Sequence, residues 1–214
     1  MPAIYLLRHG QASFGTDDYD VLSALGARQA EVAAQEFARR GVANPVVVSG
    51  TLKRQQDTAA IVARALGAEL DESDARWNEM PAHGLVDAWL GGDGNSAGLT
   101  SAEFQVHLDA AMRSWIDSDA PDWRAFRDGT TQALTDLGRR VPSGRAAIVA
   151  TSSGVTAAVC AALLGTGASG VIDLNRVSIN ASITTIAASE RGLSLLSFND
   201  HAHFLADRSL LTNR

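Results

Sequence analysis

The fold is decided at residues 4–11, which read IYLLRHGQ. The apolar part, Ile4–Leu7, has the length and composition of a buried parallel strand. A second run of this kind, Val46–Ser49, follows a helical segment that ends at Gly41, and another helical segment comes after it. This alternation of strand and helix predicts an α/β fold with a mostly parallel sheet.

The remaining pattern completes a three-layer α/β/α arrangement with a mostly parallel central sheet. We expect one domain over residues 1–214, with a small, mainly helical insertion at about 80–128 over the active site. The expected elements are helices over Ser23–Arg40, Arg54–Leu66 and Ser101–Ile116, a helix that ends near Arg140, a strand over Ala146–Thr151, a helix over Val155–Leu164, and a hairpin of Ser182–Ala187 with Leu193–Phe198.

Composition excludes several classes of protein. The chain has 214 residues, of which 46% are apolar and 20% are charged, so it is globular rather than disordered. The net charge is −6 and Lys53 is the only lysine, so no basic block exists and nucleic-acid binding is not expected. Any phosphate must therefore be bound by a few placed arginines.

The single cysteine and the apolar segments indicate the cellular compartment in which the protein is expected. Cys160 alone provides neither a disulfide framework nor a cysteine-rich zinc site. Residues 146–172 carry no charge, but the turn at Thr151–Gly154 divides them into a buried strand and a buried helix. The N-terminus lacks a cationic region typical of a secretory signal. We expect a cytoplasmic protein that does not bind membranes.

Arg8, His9 and Gly10 stand where the first strand ends. Ligands of open α/β sheets bind outside the carboxyl ends of the strands. Arginine has a fixed fork of donors suited to phosphate, neutral imidazole can attack phosphorus, and glycine lets the backbone approach a ligand. Taken alone, this short motif also fits a histidine that is merely satisfied in a turn at the strand end.

Three other segments are expected at the same edge of the sheet. Arg54 falls in the first turn of the helix after the second strand, which adds a guanidinium group and a helix N-terminus, both favourable to an anion. Glu79 precedes the insertion and offers a carboxyl group. The turn Thr151–Val155 offers the hydroxyl groups of Ser152 and Ser153 together with free backbone N–H groups.

These motifs, in this order, resemble the histidine phosphatase superfamily, the phosphoglycerate mutase-like family, over nearly the whole chain. The stretch LRHGQ at 7–11 is similar to the motif that gives the family its name, and LSALGARQA at 22–30 is similar to its first helix. The segment through Arg54, Thr58 and Ala59 matches its second-arginine motif. Residues 77–79 fall where the family carries its proton donor, and residues 199–200 resemble its closing strand.

The resemblance implies phosphoryl transfer in two steps. His9 would form a phosphohistidine, Arg8 and Arg54 would bind the nonbridging oxygens, and Glu79 would act as general acid and then as general base. No cofactor and no metal is expected, because the guanidinium groups stabilise the charge. Further phosphate contacts are expected from Gly10, Ser13, Ser152 and Ser153.

Two positions depart from the family pattern. Ser152 stands where the family usually has a second histidine, so one charged donor is replaced by a hydroxyl group. Loss of one such donor costs about 3–4 kcal/mol of transition-state stabilisation, and we expect a weakened or altered pocket. Gly15 stands where many members have an asparagine that contacts phosphate, and Ser13 is the nearby polar substitute.

Several weaker signals surround these motifs. His83 and Gln11 are candidate pocket residues. His201 and His203 are candidates as well, although a surface turn is the simpler interpretation of these two. The glycine pattern at 165–170 matches a dinucleotide-binding motif, but a helix rather than a strand precedes it. We interpret this segment as a helix C-terminus followed by a loop.

The leading hypothesis is therefore a phosphomonoesterase acting on a small phosphorylated metabolite or on a phosphoprotein, with phosphate or sulfate binding in the pocket. A phosphoglycerate mutase ranks lower, because the insertion offers few cations: Arg113, Arg124 and Arg127. A phosphate-ester binding or regulatory module with little turnover is the alternative that Ser152 suggests. The sequence leaves the oligomeric state open.

Overall fold

The computed structural model describes residues 2–13, 20–92, 94–142 and 144–213. Within them the chain forms six strands and seven α-helices. The strands are β1 (Ala3–Arg8), β2 (Val46–Ser49), β3 (Glu72–Ser73), β4 (Ala147–Thr151), β5 (Ile183–Ser189) and β6 (Gly192–Asp200). The helices are α1 (Ala24–Arg39), α2 (Lys53–Ala65), α3 (Ala82–Trp89), α4 (Ser101–Asp117), α5 (Pro121–Arg140), α6 (Ser153–Leu164) and α7 (Gly167–Val177).

All six strands form one sheet in the order β3-β2-β4-β1-β5-β6. The strands β3, β2, β4 and β1 are parallel to one another. Strand β5 runs antiparallel to β1, and β6 runs antiparallel to β5. This confirms the mostly parallel α/β sheet and its closing hairpin. In the register, Arg8 lies opposite Thr151 and Ser49 lies opposite Ala150. The carboxyl ends of β2, β4 and β1 are therefore side by side in the middle of the sheet.

Helices cover both faces of the sheet, which confirms the three-layer arrangement. On one face, Phe37 of α1 and Val62 of α2 pack against Leu7 and Ile148. On the other face, Ile4 and Leu6 lie in one apolar cluster with residues of α5 and α6. Alternation of side chains along the strands explains this division, because neighbours in a strand point to opposite faces.

The expected insertion contains α3, α4 and the first part of α5. Its apolar side chains, among them Met112, Trp115 and Trp123, pack against residues of α6 and α7. Helix α3 was not expected. Residue 128, taken as the end of the insertion, lies inside α5, because the helix that begins at Pro121 continues without a break to Arg140.

The uncharged segment at 146–172 folds as β4, a turn, α6 and the start of α7, as the strand-and-helix interpretation required. Across the ranges described above, no helix combines the length and apolar character needed to cross a bilayer. The expected loop at 165–170 was wrong in part. Gly165 ends α6 in a left-handed conformation (φ 67°), and α7 begins two residues later. The segment joins two helices, so a strand–turn–helix dinucleotide site does not form.

Candidate active site

His9 lies immediately after β1 and is buried, with 6% of its surface exposed. Its backbone N–H donates to the carbonyl oxygen of Thr151 at 2.8 Å, which joins the ends of β1 and β4. Its own carbonyl oxygen accepts from Asn180 Nδ2 and from the backbone N–H of Ala181, both at 3.3 Å. Three hydrogen bonds to two segments therefore fix the His9 backbone, and only the ring is left for chemistry.

Two hydrogen bonds determine the tautomer of the His9 ring. Nδ1 lies 2.7 Å from the carbonyl oxygen of Gly10, which can only accept, so Nδ1 carries the proton. Nε2 then has a lone pair, and Arg54 Nε donates to it at 3.1 Å. The nitrogen with the free electron pair therefore faces the guanidinium group, where a bound anion would lie.

The charge state of His9 follows from the same surroundings. Burial lowers its pKa well below 6.5, and the positive charges of Arg8 and Arg54 lower this pKa further. The hydrogen bond to Gly10 acts in the opposite direction and is the smallest of these effects. The ring is therefore neutral at pH 7, which is the state that a nucleophile requires.

Gly10 is needed for close contact between two parts of the chain. A Cβ atom at Gly10 would lie 2.2 Å from the carbonyl oxygen of Gly26, and one at Gly26 would lie 2.1 Å from that of Gln11. Gln11 is engaged nearby, since its backbone N–H donates to Gln29 and its side chain accepts from Ser23. These contacts press the loop after β1 against α1. The contacts of Gly10 and Gln11 with a ligand stay predictions.

Arg54 lies in the first turn of α2 and is also buried. Its Nη1 atom pairs with Oδ1 of Asp20 at 2.5 Å, while Oδ2 of Asp20 accepts from the backbone N–H of Lys53 at 2.8 Å. Leu52, the N-cap residue, has no side-chain hydrogen bond, so Asp20 takes over the capping of α2 from a distant part of the chain. A carboxylate thus binds at the N-terminus of α2, which shows that this end of the helix accepts negative charge.

Arg8 contacts the C-terminal part of the chain. Its Nη1 atom donates to the carbonyl oxygens of Ser178 at 2.5 Å and Asn213 at 3.3 Å. Its charge still reaches the His9 ring. Its contact with a phosphate oxygen stays a prediction, and so does that of Ser13, whose backbone N–H donates to Val21 at 2.8 Å. Gly15 lies outside the described residues.

Glu79 is held at the N-terminus of α6. Its carboxylate accepts from the backbone N–H of Gly154 at 3.1 Å, from Ser153 Oγ at 3.2 Å and from the backbone N–H of Met80 at 2.9 Å. A Cβ atom at residue 154 would lie 2.1 Å from Glu79 Oε1, so this approach requires glycine. Ser153, expected to contact phosphate, binds the Glu79 carboxylate in this structure.

Two further contacts join the Glu79 segment to the ends of β2 and β4. Asn78 exchanges two hydrogen bonds with Thr51, one from the backbone N–H of Thr51 at 2.7 Å and one to its hydroxyl group at 2.8 Å. The carbonyl oxygen of Trp77 accepts from Thr151 Oγ1 at 2.8 Å. The predicted proton donor therefore lies at the same edge of the sheet as His9.

Ser152 is fully buried and accepts a hydrogen bond from Gln55 Nε2 at 2.8 Å. Sequence reasoning missed Gln55, although a signal existed. Gln55, Thr58, Ala59 and Val62 repeat at the spacing of one helical face, and all four are buried. A glutamine on the buried face of a helix needs polar partners, and those partners lie at the site. Asp20 gave no such local signal.

The remaining histidines have contacts of their own. His83 is exposed and packs on Phe104, with ring centroids 4.7 Å apart. His201 Nδ1 lies 2.6 Å from the carbonyl oxygen of Asn199, and His203 Nε2 lies 3.1 Å from that of Ala181. No group of three or more potential metal ligands occurs in the part of the chain that the structure describes.

The chain is an α/β protein in which a neutral histidine at the end of a parallel strand meets an arginine at a helix N-terminus. The sequence model of the histidine phosphatase superfamily (branch 1) matches residues 4–201. The chain belongs to that family.

Solved structures agree on the fold. A mycobacterial glucosyl-3-phosphoglycerate phosphatase, solved with VO3, is 24% identical and matches 94% of this chain and 100% of its own, with a TM-score of 0.64. YhfR of Bacillus stearothermophilus is 19% identical and matches 95% of this chain and 99% of its own, at 0.69. An Entamoeba histolytica phosphoserine phosphatase, in complex with 3-phosphoglyceric acid, is 21% identical and matches 96% and 100%, at 0.65. No curated protein sequence matches the chain significantly.

The neutral state of His9 can be measured directly. In NMR spectra of the imidazole C–H groups recorded against pH, the His9 ring should stay neutral at pH 6.5 and protonate only at lower pH, because burial and two positive charges disfavour the imidazolium. The spectrum of His9→Asn assigns the signal. A His9 midpoint at or above 6.5 would contradict the geometry described here.

Proposed function

We propose that the protein hydrolyses the phosphate monoester of a small metabolite through a phosphohistidine on His9. The observation that carries this proposal is the contact of Arg54 Nε with His9 Nε2 at 3.1 Å, while Gly10 holds the proton on Nδ1. This contact places the reactive lone pair beside the group that would bind the phosphate. The family supports phosphoryl transfer as the class of chemistry.

In the first step His9 Nε2 attacks phosphorus and the bond to the ester oxygen breaks. Arg54, with Arg8, stabilises the charge on the nonbridging oxygens. Glu79 gives its proton to the leaving alkoxide, which would otherwise depart poorly. In the second step Glu79 takes a proton from water, the oxygen attacks phosphorus, and the P–N bond breaks to release phosphate and neutral His9.

Arginine pairing in the insertion favours hydrolysis over a mutase reaction. Arg124 pairs with Asp119 at 2.9 Å, and Arg127 pairs with Asp128 at 2.8 Å and with Asp119 at 3.7 Å. Arg113 donates to Ser169 at 3.2 Å. A mutase must also bind a substrate carboxylate and keep its phosphohistidine from water. Arg124 and Arg127 already contact acidic residues of the insertion itself, so the insertion offers few cations for that task.

One observation favours a second function, a phosphate-ester binding module with little turnover. Ser152 offers a neutral hydroxyl group where the family usually has imidazole. Loss of that charged donor weakens stabilisation of the transition state more than it weakens binding of the ground state. A phosphoprotein substrate would use the same chemistry. Two of the relatives named above were solved with a small anion, VO3 or 3-phosphoglyceric acid, so a small metabolite is the substrate we propose.

We also propose that the enzyme acts in the cytoplasm and without metal, since arginines can supply the positive charge. The acidic net charge argues against a nucleic-acid substrate. Burial raises the pKa of Cys160 to about 12, so this thiol is protonated and does not compete with His9 as nucleophile.

Turnover of p-nitrophenyl phosphate tests the proposal. The wild-type chain should release nitrophenol, and His9→Ala should lose this activity by at least about a thousandfold, because the variant lacks the ring on which the intermediate forms. His107→Ala, on the insertion helix α4, is the matched control and should retain wild-type turnover. Inorganic phosphate that binds the wild-type chain while no turnover occurs would favour the binding module instead.

The role of Glu79 can be tested through the leaving group. Glu79→Gln should slow alkyl phosphates far more than aryl phosphates, because an alkoxide needs protonation and a nitrophenolate does not. We expect a difference of about a hundredfold or more between the two losses in kcat/KM. Glu69→Gln, at an exposed position outside the site, controls for the substitution itself. Equal losses on both substrate classes would exclude Glu79 as the general acid.

A further inference from the structure

Gln55 connects three parts of the site from a fully buried position. Its Nε2 atom donates to Ser152 Oγ at 2.8 Å and to the carbonyl oxygen of Trp77 at 3.0 Å. Its Oε1 atom is buried and has no hydrogen-bond partner among the residues that the structure describes. An acceptor left unsatisfied in a buried place needs an explanation, because such groups are rare.

The donor and acceptor roles of these atoms are determined by Trp77. A backbone carbonyl oxygen only accepts, so the amide atom that faces it must be the NH2 group and not the oxygen. Both hydrogens of Gln55 Nε2 are then used, one on Trp77 and one on Ser152. Ser152 Oγ must therefore accept, and its own hydrogen is left to donate elsewhere. Among the described residues, the Ser152 hydroxyl group makes no hydrogen bond besides the one from Gln55.

The register of the sheet places Ser152 beside His9. Arg8 lies opposite Thr151, and β1 and β4 are parallel, so the next residues, His9 and Ser152, occupy adjacent positions about 5 Å apart. The side chain of Ser152 points to the same face of the sheet as that of Ala150, which packs against α2. The His9 ring accepts a hydrogen bond from Arg54 of α2, so it faces the same helix.

We propose that Gln55 is a positioning residue that makes Ser152 a hydrogen-bond donor to the phosphoryl group bound at His9. The inference rests on the proposed function, since it assigns the donor that replaces imidazole at that site. Gln55 does not touch the substrate. By occupying the acceptor side of Ser152 Oγ, it leaves the hydroxyl proton only the direction of the pocket.

Gly50 makes this arrangement possible. A Cβ atom at residue 50 would lie 1.9 Å from Gln55 Oε1, so glycine leaves the space in which the amide oxygen sits. The amide group is thus confined on three sides, by Gly50, Trp77 and Ser152. Such confinement keeps one orientation of the amide and therefore one direction of the Ser152 hydrogen bond.

A double-mutant cycle tests the inference. Gln55→Met and Ser152→Ala should each lower kcat for p-nitrophenyl phosphate by about tenfold with KM within about threefold, because the donor acts mainly on transition-state charge. The double variant should be no slower than the slower single variant, since both changes remove one hydrogen bond. Gln56→Met, at the next position of α2 and partly exposed, is the control and should resemble wild type.

Gln55→Glu separates positioning from structural support. Its carboxylate has the same shape but accepts from Ser152, which reverses the direction of the hydrogen bond. Activity relative to wild type should therefore fall at neutral pH and recover in part at lower pH, where the carboxyl group is protonated. A variant that merely disturbed packing would show the same relative loss at every pH. A flat ratio would overturn the proposal.

The same experiments distinguish failure of this inference from failure of the proposed function. Losses that multiply in the double variant, or single variants with wild-type kcat, would overturn the role of Gln55 and leave the proposed function intact. If the wild-type chain has no turnover, the proposed function fails, and the same cycle is then measured as affinity for inorganic phosphate. If the two single variants and the double variant all lose a similar few-fold in that affinity, the coupling of Gln55 with Ser152 is supported. Losses that add in the double variant, or no loss in the single variants, would overturn it.

Discussion

The hydrogen bond from Arg54 Nε to His9 Nε2 is the contact on which the rest of the site depends. Three conditions make it possible. The carbonyl oxygen of Gly10 accepts a hydrogen bond from Nδ1–H, burial keeps the ring neutral, and the N-terminus of α2 points at the end of β1. Asp20 binds the other side of the guanidinium group, so Arg54 is directed from two sides. A cation that could drift away would not stabilise charge at phosphorus.

Close packing between backbone segments supports this contact. Gly10 and Gly26 let the loop after β1 touch α1, and Gly154 lets Glu79 reach the N-terminus of α6. Each glycine is used for a distance that a side chain would prevent, not for an unusual backbone angle. His9 and Arg54 therefore lie at a strand end and at a helix start, which are rigid parts of an α/β fold.

Much of this arrangement could be predicted from the sequence, because it follows from local patterns. Apolar runs of strand length gave the order of elements, and the polar residues directly after them marked one edge of the sheet. The position of His9, Arg54 and Glu79 at that edge was predicted in this way, and their chemical roles stay predictions. The start of α1 at Ser23 was equally local, and Ser23 caps the helix, since its side chain accepts from the backbone N–H of Gly26.

What could not be predicted depends on contacts between distant segments. Asp20 pairs with Arg54 across 34 positions of sequence, and Gln55 reaches Ser152 across 97. Arg8 points to carbonyl oxygens near the C-terminus, which no pattern around residue 8 reveals. Helix α7 was missed because its glycines, at 167 and 170, are typical of a loop, while packing of Val171 and Ile172 against the insertion stabilises the helix.

The central claim is that Nε2 of His9 becomes covalently bonded to phosphorus, and trapping that bond tests it most directly. The wild-type chain, mixed with a phosphate monoester and quenched in alkali within one turnover, should carry one phosphoryl group that is stable to alkali and labile to acid, as a phosphoramidate is. Fragment mass spectrometry should locate it on His9, with the phosphorus on Nε2. Turnover without any phosphoryl group on the chain, or with the group on another residue, would contradict the account.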